Sequence, residues 1–153
     1  MCLSKSIVGA ALGCMLAAGV GQTSAQAQEA KKFILQGDLA LWTVAIKPDK
    51  TAQFEEVLAK LRTALQMSDK PERQQQAKSW RVVRISTPLP DGNIGYMHVV
   101  SPAVPDTDYT VMQILYEAFP NEARALYDLY RDAFVANLSM ASGDIVIDLG
   151  ATP

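Results

Sequence analysis

The chain holds one histidine, His98, in the segment IGYMHVVS (94–101). Its ordinary pKa near 6.5 would let it trade protons at neutral pH. Two residues earlier stands Tyr96, a phenol able to donate to a ligand oxygen, and Arg84 in WRVVRIS (80–86) supplies a permanent cation. His98, Tyr96 and Arg84 are therefore the candidates for acid–base work. Thr43, Trp80, Arg84, His98 and Asp148 are the candidates for holding a ligand. Each has a competing structural reading, which is the favoured one: a histidine paired on a sheet, a packing tyrosine, and an arginine bridged to Asp148 or Asp144. Tyr109, Tyr116, Tyr127 and Tyr130 could form an aromatic ligand box, but at helical spacing they read first as core and rim.

Other chemistry is excluded by what is missing. One histidine cannot build a nitrogen-rich metal centre, and no H-x-x-x-H or Glu-x-x-His spacing helps it, so no metal is expected. There is no phosphate-cradling glycine loop and no nucleophile elbow, and SGDIVIDLG (142–150) lacks the G-x-G-x-x-G order. No cofactor is expected. With 14 basic and 16 acidic residues the formal charge is −2, which leaves no basic stripe for nucleic acid or anionic lipid.

The N-terminus reads as an export signal. One lysine in MCLSKS precedes the apolar run IVGAALGCMLAAGVG, and Ala25-Gln26-Ala27 offers a small-x-small cleavage site. The run is short of the roughly 20 apolar residues that span a bilayer. Cleavage after Ala27 is the expectation, giving a periplasmic or secreted protein with no membrane attachment. Lipidation at Cys14 is the rival, disfavoured because the apolar run continues past it and Ala11 stands three before it. Cleavage also removes Cys2 and Cys14, leaving no thiol, and removes Lys5, shifting the formal charge from −2 to −3.

A tether, 28–38, should lead into one domain, 39–150. LALWTVAI (39–46) predicts a strand, and KTAQFEEVLAKLRTALQMS an amphipathic helix with Phe54, Val57, Leu58, Leu61 and Leu65 on one side, capped by Asp49 or Thr51. DKPERQQQAKS (69–79) lacks apolar periodicity and predicts a solvated connection, with room for a helical turn starting at Pro71. Strands over 80–86 and 94–101, joined by TPLPDGN, predict an antiparallel hairpin. In YTVMQILYEAFPNEARALYDLYRDAF (109–134), Pro120 removes an amide donor, so two helical pieces are predicted with a break or sharp kink between them, and Phe119 and Leu126 buried beneath it. DIVIDLG (144–150) predicts the last strand.

Strand alternation sorts the side chains by face. One set, Trp42, Val44, Ile46, Val83, Ile85, Met97, Val99, Ile145, Ile147 and Leu149, is nearly all apolar and is expected beneath the helices. The other places Thr43, Trp80, Arg84, Tyr96, His98 and Asp148 on the far side, toward solvent or a partner's sheet.

The order strand, helix, strand, strand, helix, strand resembles the ferredoxin-like α+β sandwich: a four-stranded antiparallel sheet, helices on one face, the second helix split at Pro120. With KPDKTAQFEEVL at the first strand-to-helix passage, residues 39–150 resemble the dimeric α/β-barrel superfamily, which includes the antibiotic-biosynthesis-type monooxygenases. The resemblance implies a homodimer through the sheet face. It is compatible with a dimeric module for ligand binding or interaction, with a small apolar ligand. The alternative is a cofactor-independent monooxygenase or isomerase acting on a small apolar or phenolic substrate.

Overall fold

The computed structural model describes residues 32–150. The expected signal, both cysteines and the start of the tether lie outside the described residues.

Among the described residues, four strands and four α-helices follow one another: β1 (Leu39–Ile46), α1 (Thr51–Met67), α2 (Pro71–Ser79), β2 (Trp80–Arg84), β3 (Ile94–Val100), α3 (Val111–Ala118), α4 (Ala123–Ala133) and β4 (Phe134–Gly143), with a single 3-10 turn at Pro48–Lys50 leading into α1. The sheet order is β2-β3-β1-β4, and every neighbouring pair is antiparallel. β1 is central, rich in β-branched and aromatic side chains that fit a pleated surface, and buried from Trp42 to Ile46. This is an α+β domain with a ferredoxin-like arrangement.

Two expectations about the elements are corrected. The last strand is FVANLSMASG (134–143), and DIVIDLG (144–150) lies beyond it outside any strand. Segment 71–79 is a full helix: Pro71 opens it, where a missing amide costs nothing, and Glu72 sits in its first turn. Its inward face is polar, made of Arg73, Gln76 and Ser79 at three-residue spacing, so no apolar period announced it.

The chain breaks at Pro120 as expected. α3 stops at Ala118, Phe119 leaves helical geometry (φ −132°, ψ 62°), and α4 begins at Ala123. Leu126 is buried; Phe119 is half-buried against the same cluster as Val57, Leu61 and Leu115.

The face assignment is half wrong. Trp42 pairs across from His98, Val44 from Tyr96, Val82 from His98 and Arg84 from Tyr96. These residues share one face, and Phe54 of α1 packs on it, its ring 4.9 Å from Tyr96. The helices therefore cover Trp42, Val44 and Ile46 together with Tyr96, His98 and Val100. Thr43, Met97, Val99 and Val83 take the open face, and Val83 is 51% exposed. Burying the polar set is tolerable because its members find partners: Tyr96 donates to Glu55 at 2.6 Å and the Trp80 indole donates to His98 Nδ1 at 3.1 Å.

Candidate functional site

The polar candidates divide by position. His98 is 2% exposed, stacked against Trp42 at 4.5 Å and 10°. Because Nδ1 accepts from Trp80, the neutral ring carries its proton on Nε2. Burial pushes its pKa down to about 4, so it stays neutral at pH 7. Its Nδ1 lone pair is engaged, which weakens the general-base role considered for it.

Tyr96 and Arg84 converge on Glu55 of α1, Arg84 Nη1 lying 3.6 Å from Glu55 Oε1. Burial, then the hydrogen bond to the Glu55 carboxylate, raises the Tyr96 pKa above its usual value. The expected pairing of Arg84 with Asp148 or Asp144 is replaced by Glu55; Asp148 lies past β4, where its carboxylate caps Gly150 N–H. Thr43 is on the opposite face from His98. The structure thus brings together Trp80 with His98, and Tyr96 with Arg84, and separates Thr43 and Asp148 from both.

Two concave regions flank this wall. A groove of about 410 Å³ runs between α1, α2 and β2, floored by Trp80 and Val82 and rimmed by Glu55, Arg62 and Gln66. A larger cavity of about 500 Å³ lies on the other side, over the β1–β4 half of the sheet. Trp42 lines the larger, Trp80 the smaller, and His98 touches both rings between them.

The larger cavity arises from the split helix and the edge strand. Trp42 and Val44 of β1 form its floor with Met140 and Asn137, which pair across from them on β4. Thr110 to Met112, where α3 begins, and Tyr130 of α4 make the wall, while Phe33 and Tyr109 close one end. That end is tied down: Tyr109 N–H donates to the Phe33 carbonyl at 2.8 Å, and Asp108 Oδ1 accepts from Phe33 N–H, Thr110 N–H and the Thr110 hydroxyl. Behind it, buried Arg73 and Gln76 both donate to the Asp108 carbonyl. The polar face of α2 therefore positions the cavity's closed end.

Every residue lining this cavity is uncharged at neutral pH, four are aromatic and two are methionine. A space of this size with few polar groups suits a small organic molecule. Among the lining residues, only Trp42 and Val44 follow from the strand reading. Tyr109 and Tyr130, taken from sequence as core and rim, both face the cavity. Phe33 fell in the expected tether, and Asn137 and Met140 carried no signal because 134–143 did not read as a strand. Among the described residues, no cluster of His, Cys, Asp and Glu could hold a metal ion.

Compared with protein-family models, curated proteins and solved structures, the chain matches none.

Proposed function

We propose that this chain is an exported, dimeric ligand-binding module of the dimeric α/β-barrel type, and that the β1–β4 cavity takes a small apolar molecule. The carrying observation is that cavity: about 500 Å³, lined by Trp42, Tyr109, Tyr130, Met112 and Met140 and by no ionised side chain. The dimer reading is supported by the open sheet face, where Val83 is exposed and Met97 and Val99 are only half-covered. It is supported also by the free apolar run after β4, where Val146 is 97% and Leu149 90% exposed. Export rests on residues 1–27 alone.

Native mass spectrometry of protein purified from the cell envelope tests the parts together. The expected spectrum contains a dimer of chains beginning at Gln28, carrying additional small-molecule mass that is lost on activation. A chain retaining residues 1–27, a lipidated Cys14 terminus or a strictly monomeric species would each overturn its part of the proposal. Ligand occupancy is checked separately by tryptophan fluorescence, since Trp42 lies in the cavity wall.

A further inference from the structure

Resting on the dimer reading, we infer that residues 144–150 of one copy add as a strand to the free edge of β2 in the other, with Val146 seated in the groove between α1, α2 and β2. The segment has a strand's pattern and no strand's partner. In DIVID, Ile145 and Ile147 take one side of an extended chain, while Asp144 and Asp148 flank Val146 on the other. Isoleucine and valine favour strands, yet the segment forms none among the described residues, and Val146, Ile147 and Leu149 stand exposed. Its own β2 is out of reach. Ile145 N–H is held by Asp38 at the start of β1, next to β4, whereas β2 forms the opposite edge of the sheet. A second copy brings the two together, each giving a segment and receiving one in a closed two-fold arrangement.

The receiving edge matches in backbone, shape and charge. Ser101 N–H donates to the Ser79 carbonyl and Ile85 N–H to that of Gly95, so the odd-numbered residues of β2 face β3 and the amides and carbonyls of Val82 and Arg84 point outward. On the helix side of this edge lies the groove of about 410 Å³, floored by Val82 and rimmed by Glu55 and Arg62. Arg84 stands beside Glu55 and is exposed, and Arg62 makes no ion pair among the described residues. Glu55 and Arg62 are separated by about 10 Å of helix, and the two aspartates by about 13 Å of strand. Because Asp-Ile-Val-Ile-Asp reads the same both ways, a strand centred on Val82 brings one carboxylate to Arg84 and the other toward Arg62 whichever way it runs. The isoleucines then join Val83 on the open face, extending the apolar surface that meets the partner's sheet. Turned over, the segment would trap both carboxylates between the sheets, at a cost in desolvation. The other sheet edge, β4, carries no cation to receive them.

Charge reversal on the full chain tests the pairing, read by sedimentation equilibrium and by native mass spectrometry. The tail variant is Asp144→Lys with Asp148→Lys, and the groove variant is Arg62→Glu with Arg84→Glu; all four positions are exposed in the single chain, so the fold is kept. Each variant alone should dimerise at least about tenfold more weakly than the unaltered chain. Mixed together they should form heterodimers of nearly unaltered affinity, because both contacts again join opposite charges. A variant with the groove variant's net charge, Arg124→Glu with Arg131→Glu on the exposed side of α4, should keep to its own homodimers when mixed with the tail variant. If the unaltered chain is monomeric throughout, the dimer reading falls and this inference with it. If the tail variant dimerises as tightly as the unaltered chain, the inference falls while the dimer reading stands. Tail and groove variants that fail to combine, or an α4 variant that combines with the tail variant equally well, would also overturn the inference.

Discussion

The imidazole of His98 lies almost parallel to the indole of Trp42, 4.5 Å between ring centres, under the helices. The ring is held neutral there, with a folded pKa of about 4 against 6.5 in the unfolded chain. The unfolded state therefore takes up a proton first as pH falls. Stability from this site is fully present above pH 6.5 and is lost between pH 6.5 and 4. The shift corresponds to about 3 kcal/mol at most. Urea unfolding at pH 7, 5.5 and 4 should show the unaltered chain losing stability relative to a His98→Phe variant by an amount of that order. Parallel pH curves for the two proteins would contradict the buried, neutral histidine.

The same pair explains how far the sequence could be read. Helix α1, the three strands β1 to β3 and the break at Pro120 were legible because each carries its own period or its own backbone restriction. The faces of β2 and β3 were not. Both faces of the hairpin carry apolar side chains, and the rule that polar groups point away from helices fails once Tyr96 has Glu55 and His98 has Trp80. β4 was missed for a different reason. Ala, Asn, Ser and Gly are poor strand formers, and two register shifts against β1, between Thr43 and Val44 and between Ala45 and Ile46, erase its alternation. With β4 unseen, half of the cavity floor was unseen too, whereas the better strand pattern of DIVIDLG belongs to a segment that forms no strand among the described residues.

Arg73 is 6% exposed and links three pieces of chain: its guanidinium donates to the Gln76 side chain at 2.9 Å, to the Asp108 carbonyl and to Glu117 at 3.4 Å. Replacing it by methionine keeps the packing of the stem but removes the fork. Gln76 still serves the same carbonyl at 3.1 Å, so the loss should be about 2 kcal/mol and not the full cost of a broken buried pair. Arg73→Lys should recover part of it, since one ammonium cannot reach all three acceptors. Chemical denaturation gives the energies, and faster amide exchange at Tyr109 and Thr110 would locate the damage at the closed end of the cavity. An Arg73→Met protein as stable as the unaltered chain would mean the network carries no net stability.

If the open sheet faces of two copies meet, a carboxylate at their centre opposes association. Val83→Asp, on that face and half-exposed in the single chain, should shift the protein toward monomer in sedimentation equilibrium while leaving its fold unchanged by circular dichroism. Val82 and Val100 face the helices instead, and Asp at Val100, which is wholly buried, should unfold the domain. Dimer that survives Val83→Asp undiminished would remove the sheet face from the interface.

Gly37 sets the start of β1 against the end of β4. Its φ is +82°, and a Cβ there would lie 2.6 Å from the Gly143 carbonyl oxygen and 2.9 Å from its carbon, backbone atoms that cannot turn aside as a side chain would. Leu39 pairs with Gly143 at the end of the β1–β4 ladder, and Asp38 accepts from Ile145 N–H at 3.0 Å, so displacing Gly143 strains both attachments. Gly92 supplies the control. Its φ is also +82°, but an added Cβ would meet nothing within 4 Å. Gly92→Ala should cost only the left-handed backbone penalty, about 1 kcal/mol. Gly37→Ala carries that penalty and the displacement of the strand end as well, so its loss should be larger by at least about 1 kcal/mol. The difference between the two unfolding energies isolates the close approach of the strands. Equal losses would show that the end of β4 moves away from β1 freely, and that the edge strand flooring the cavity is not held at that end.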